Sequence, residues 1–144
     1  LVMVIVILGI LAAFALPRFA NFSNEARVSS INGLAGSLRS AASIAHARQV
    51  ADGSAAGTSV TLENQTITMV DGFPTANAGG ISAAAQVSGD YSVAGGGTNA
   101  GDSITYFIAP DTDGTDGAGC QVTYTAADNS TPSPISVTVA TGGC

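Results

Sequence analysis

The chain opens on sixteen residues, Leu1 to Leu16 (LVMVIVILGILAAFAL), without one polar or charged side chain. An unbroken apolar run has no water-facing side, so it predicts a helix that is covered all round. Twelve of its side chains are large. Each is worth roughly 1.5–3 kcal/mol on full burial, so leaving the run in water would cost tens of kcal/mol. Pro17 follows at once and disfavours helical geometry at Leu16, which predicts a kink or local melting there. Gly9 is a second weak point in the same run. From Phe19 to about Val50 the pattern becomes amphipathic. Ile31, Leu34, Leu38, Ala41 and Ala45 recur at three- and four-residue steps and form one stripe, with Arg39 and His46 on the opposite face. Arg27 lies in line with the stripe, so packing against the rest of the chain is predicted to begin after it, near Ile31. Asp52-Gly53-Ser54 and Gly57 signal the end of the helix.

Beyond the helix the period drops to two. Val60-Thr61-Leu62 and Ile67-Thr68-Met69 flank Glu63 to Thr66 and predict a hairpin. Asp71-Gly72-Phe73-Pro74 reads as a turn and Gly95-Gly96-Gly97 as a loop. Ile81 to Val87 reads as one short helix. Ile104 to Ile108, Gln121 to Thr125 and Ile135 to Ala140 alternate as strands enriched in β-branched and aromatic residues. A long helix followed by antiparallel strands is an α+β arrangement, with residues 1–30 a protruding stem and 31–144 a globular head.

The chain's 144 residues suit a single domain plus the stem. Charge is sparse, 10% of residues, and segregated. The four basic residues, Arg18, Arg27, Arg39 and Arg48, all precede residue 49, and nine of the ten acidic residues follow it. An acidic head repels phosphate, which argues against a nucleic-acid partner. No nucleophile constellation, phosphate loop or pair of carboxylates in an apolar setting is present, so catalysis has no support in the sequence. The chain is read as a non-enzyme. The single His46 and the absence of C-x-x-C-H exclude covalent haem, and His46 reads as solvent-exposed or at a subunit contact.

The segment LVMVIVILGILAAFALPRF resembles the N-terminal stem of type IV pilins and of the related type II secretion pseudopilins. Gly9, Ile10, Leu11, Ala12, Ala13, Pro17 and Phe19 carry the resemblance. The stretch from Met69 to Val93 is similar, more loosely, to the mannose-sensitive haemagglutinin branch of pilins. The peptidase site and assembly glutamate of that family are not found ahead of Leu1. The run, about 24 Å as a helix, is shorter than a hydrocarbon core of roughly 30 Å. It is therefore expected to be the downstream part of a longer hydrophobic segment.

The resemblance implies a type IV pilin fold, in which a long N-terminal helix, kinked near Pro17, is half packed on a C-terminal antiparallel sheet. It implies a homopolymer with a filament core of Leu1, Val2, Val4, Ile5, Leu8, Gly9, Leu11, Phe14, Pro17, Phe19 and Phe22. The stem would sit in the inner membrane before pilus assembly machinery draws it into an extracellular pilus for adhesion, motility or surface attachment. A pseudopilin, or a membrane-anchored binding protein that never polymerises, are the alternatives. Two Cys in an exported chain read as one disulfide, Cys120 with Cys144, and the resemblance implies the same closed C-terminal loop. Such a bond stabilises by about 3–4 kcal/mol on the chain-entropy model.

Two further patterns stay open. Asp111, Asp113 and Asp116 alternate around Gly as in a calcium loop, or form a solvated Asx-turn, and no EF-hand spacing is present. No other cofactor is expected. Asn21, Asn64 and Asn129 head N-x-[ST] triplets, which arise often by chance in Ser/Thr-rich chains.

Overall fold

The computed structural model describes residues 1–111, 114, 119–130 and 134–144, with 15–21 described only as part of the helix path. The helix, α1, is a single element over Val2–Ala51. It passes through Gly9 without interruption. The expected kink at Pro17, and the side chains of Pro17 and Phe19, lie outside the described residues. The helix ends where the sequence signals it. Asp52 caps it, its N–H bonding to Arg48 O at 3.0 Å, and Gly53 takes the left-handed conformation at φ 63°. Arg48 in the last turn pairs with Asp52 at 2.9 Å, an exposed contact of at most a few tenths of a kcal/mol.

Eight strands follow: β1 Val60–Leu62, β2 Gln65–Ile67, β3 Met69–Val70, β4 Phe73–Pro74, β5 Ser92–Gly95, β6 Ser103–Phe107, β7 Gln121–Thr125 and β8 Ser136–Ala140. They form two small hairpins and one four-stranded antiparallel sheet, ordered β5-β6-β7-β8. The α+β class is thus as the sequence predicts, and β6, β7 and β8 fall on the predicted runs to within a residue or two.

Four local features differ from the sequence reading. The 71–74 segment, read as a turn, is half of a second hairpin. Asp71 and Gly72 both take positive φ, at 47° and 89°, and this primed turn lets Val70 pair with Phe73. The first hairpin uses the same device, with Glu63 and Asn64 at φ 47° and 66°, so its second strand is Gln65–Ile67 rather than the predicted Ile67 to Met69, and Met69 belongs to β3. β5 escapes a pattern search because Ser92, Val93, Ala94 and Gly95 show neither strong alternation nor a bulky apolar set. The short helix starts earlier than predicted, as a π-helical turn over Ala78–Ser82 capped by the Asn77 side chain on Gly80 N at 2.8 Å. Gly80 there is non-helical, and a Cβ on it would run into the Thr75 carbonyl.

The core lies between α1 and one face of the large sheet. Ile31, Leu34, Leu38, Ala41 and Ala45, the predicted stripe, are buried, and Ala42 beside them is buried as well. Against the five of these from Ile31 to Ala42 pack Ile104 and Tyr106 of β6 and Val122 and Tyr124 of β7, while Ala45 packs with Val60, Ile67 and Met69 of the small hairpins. Register sets Tyr106, Val122 and Val139 in one cross-strand row and Ile104, Tyr124 and Val137 in another. The opposite sheet face carries Thr105, Thr123 and Thr138 in one row, and the Thr105 and Thr123 hydroxyls bond at 2.9 Å. One face is apolar and the other carries this hydroxyl row, with Phe107 and Gln121 buried at one end of it beside Gly114.

Candidate functional site

The stem is the most unusual surface of the molecule. Every residue from Leu1 to Phe14 is exposed in the single chain. Its large apolar side chains expose between 55% and 97% of their surface. Of the expected filament-core residues, Leu1, Val2, Val4, Ile5, Leu8, Gly9, Leu11 and Phe14 lie on this bare rod, and Phe22 is also exposed. A Cβ placed on Gly9 would meet nothing within 4 Å, so a neighbouring backbone has room to approach there. A shallow apolar groove of about 280 Å³ runs over Val2, Met3, Val6 and Ile7. Among the described residues no helix is long and apolar enough to cross a membrane.

The junction between stem and head begins at Arg27, one turn before Ile31. The sequence pattern predicts the first contact after Arg27. Instead its guanidinium is half-buried, donating to Cys144 O at 3.3 Å and to Asn24 Oδ1 at 3.4 Å. A long side chain can lay its stem along an apolar face and still satisfy its charged end. One turn on, the Ser30 and Tyr91 hydroxyls bond at 2.6 Å. Arg39, expected on the solvent face, is exposed but reaches back to Val137 O on the edge strand β8 at 2.9 Å. A cation over an edge carbonyl also blunts that edge against unwanted strand pairing.

Cys120 and Cys144 are disulfide-bonded. Cys120 is buried at the entrance to β7, and Cys144 is half-buried against the core. The bond therefore ties the tail after β8 to the centre of the sheet.

His46 is neither free in solvent nor isolated, contrary to the reading from the pattern. Its ring stacks on Phe73 with centroids 4.3 Å apart and planes 3° from parallel. Nδ1 lies 2.7 Å from Gly72 O, so it carries the proton and donates. The imidazole is a latch between α1 and the β3–β4 hairpin. No sequence signal points to it, because the contact depends on a turn some 26 residues away.

The acidic loop is described only in part. Asp111 Oδ1 accepts from Gly114 N at 3.0 Å, as an Asx-turn does. With its amide oriented to donate, Gln121 reaches Asp111 Oδ2 and Gly114 O at 3.0 Å each. Asp113 and Asp116 lie outside the described residues. Among those described, no group of three His, Cys, Asp or Glu side chains is placed to hold a metal ion.

The remaining perturbed groups are structural. Burial pushes the Tyr106 phenol up from its ordinary value, partly opposed by its hydrogen bond with Ser82 at 2.5 Å. Burial also pushes Tyr124 up, with a further contribution from Tyr106 nearby. Tyr124 donates to Pro74 O at 2.7 Å. Asp128 is held below the usual carboxylate range by the Ser130 hydroxyl and then by the Ser130 amide. The head's grooves are open, the largest described being about 550 Å³ beside Gln65, Ser82 and Gln86. None of these brings a nucleophile to a base. Comparison with family models, curated proteins and solved structures finds no match to this chain.

Proposed function

We propose that this chain is the structural subunit of a type IV pilus, polymerising through its N-terminal helix, with the head adopting the pilin fold. The observation that carries the reading is the bare apolar rod from Leu1 to Phe14, continuous with a helix whose other half is the core of a folded head. A surface of this size needs cover. Before assembly the cover would be lipid. In the filament it would be the stems of other copies, so burial is exchanged for burial with little net hydrophobic cost. Repetition of one head-to-tail contact that does not close generates an open helical fibre. The resemblance of residues 1–19 to pilin stems supports the same reading, and so does the acidic, charge-sparse head on the outside.

Electron microscopy of filaments sheared from cells, with helical reconstruction, tests it. The expected result is a fibre with residues 1–22 at its axis. A protein that stays monomeric in the membrane under every condition would leave the stem as an anchor only and overturn the proposal.

A further inference from the structure

β8 and the tail after it each hold α1 at one point. Arg39 grips Val137 O within β8, and Arg27 grips Cys144 O. The two arginines are twelve residues apart, about 18 Å along a helix. The buried stripe from Ile31 onward sets the helix on the sheet, Ser30 bonds Tyr91, and Arg27 adds a hold one turn nearer the stem. The anchors differ in what holds them. Val137 is registered against Tyr124 by the sheet ladder and does not depend on Cys144. Cys144 lies beyond the last strand. Its covalent hold is the bond to Cys120, supplemented by turn contacts from Gly143 N to Gly119 O at 3.3 Å and from Cys144 N to Thr141 O at 3.1 Å.

We propose that the Cys120–Cys144 disulfide is a redox-sensitive buckle, locking the stem to the head through Arg27 when oxidised and releasing segment 22–30 when reduced. Cys120 is fully buried and Cys144 half-buried, so an external dithiol meets Cys144 first. Its thiolate attacks the Cys144 sulfur, the S–S bond breaks, and Cys120 leaves as a thiolate that takes up a proton. The second thiol of the same reagent then displaces Cys144 from the mixed disulfide. The reagent ends as a cyclic disulfide and the protein as two thiols. Free of its tether, the tail from Thr141 to Cys144 no longer presents a fixed carbonyl to Arg27. The coupling stands independently of polymerisation. Its consequence, that only the oxidised subunit presents its stem at one fixed angle for assembly, rests on the pilus reading.

Hydrogen exchange read by mass spectrometry on the full chain in detergent micelles separates the two questions, since it needs no filament. Dithiothreitol is the reductant. Reduction is expected to speed amide exchange in 22–30 about tenfold while β6 and β7 keep their protection. Arg27→Ala, still disulfide-bonded, is expected to give the same local rise, with no further rise there on reduction. Unchanged exchange in 22–30 on reduction overturns the proposal. So does loss of protection throughout β6 and β7, which would make the bond a general staple of the head. An oxidised Arg27→Ala protein with wild-type exchange in 22–30 also overturns it.

Discussion

Tyr124→Phe removes one oxygen from the centre of the head and leaves the ring in place. The side chain is fully buried, and its hydroxyl donates to Pro74 O at 2.7 Å, joining β7 to the β3–β4 hairpin. Losing that bond from a buried carbonyl costs about 1–3 kcal/mol, which lowers the melting temperature of a domain this size by several degrees. The same change alters the response to alkali. Tyr106 and Tyr124 ordinarily ionise near pH 10, and burial raises both in the folded protein. Above pH 10 the unfolded chain gives up protons that the folded chain keeps. Stability is therefore full below that value and falls as pH rises through it toward the folded-state values. Each such tyrosine removes about 1.4 kcal/mol per pH unit in that window. The wild type carries two of them and the variant one. The gap in stability between the proteins is expected to narrow by about 1 kcal/mol between roughly pH 10 and 11, because the unfolded tyrosine is already half ionised at pH 10. Urea unfolding of the full chain in detergent, followed by circular dichroism from pH 7 to 11, measures it. A gap that stays constant over that range would refute the argument that burial keeps Tyr124 neutral.

Other perturbations test the core, the backbone and the stem. Leu38→Ala empties a fully buried site under the sheet and is expected to cost about 2–5 kcal/mol in the same unfolding assay. Gly80→Ala drives a methyl group into the Thr75 carbonyl, so the 78–82 turn must shift, and a loss above about 1 kcal/mol in chemical denaturation is expected. Ile7→Asp places a charge on the exposed rod, where Ile7 is 58% exposed and touches no core. On the proposed pilus reading, filament yield by electron microscopy should collapse, while the head unfolds within about 0.5 kcal/mol of wild type. Asn64→Gly suits the left-handed second position of the β1–β2 turn, φ 66°, and is expected to raise stability by up to about 1 kcal/mol in thermal unfolding.

Strong periodicity made parts of the fold legible. Ile31, Leu34, Leu38, Ala41 and Ala45 repeat with the helical period, so their burial follows from the geometry of a helix on any apolar surface. β6 and β7 read clearly because their β-branched and aromatic residues alternate at period two. β5 did not, since a Ser-Val-Ala-Gly strand is held by its neighbour's ladder rather than by its own preference. The β3–β4 hairpin hid behind Phe73-Pro74, where a proline beside a tight turn argues against a strand unless it sits at an edge. The candidate stem surface is evident in the residues alone, because no arrangement of fifteen consecutive apolar side chains around one glycine can satisfy water.

The residues alone thus divide the chain into an apolar rod, an amphipathic continuation and an acidic, strand-forming head. These divisions follow from periodicity, charge and hydropathy, which are local quantities. Where the polar side chains of the helix go is settled only once the chain has folded. Arg27 to Cys144, Arg39 to Val137 and His46 to Gly72 are contacts across 117, 98 and 26 residues. A helical wheel assigns a side chain to the solvent face or to the core face. It holds no information about which distant carbonyl the fold will bring within reach of a long or planar side chain at the boundary between them.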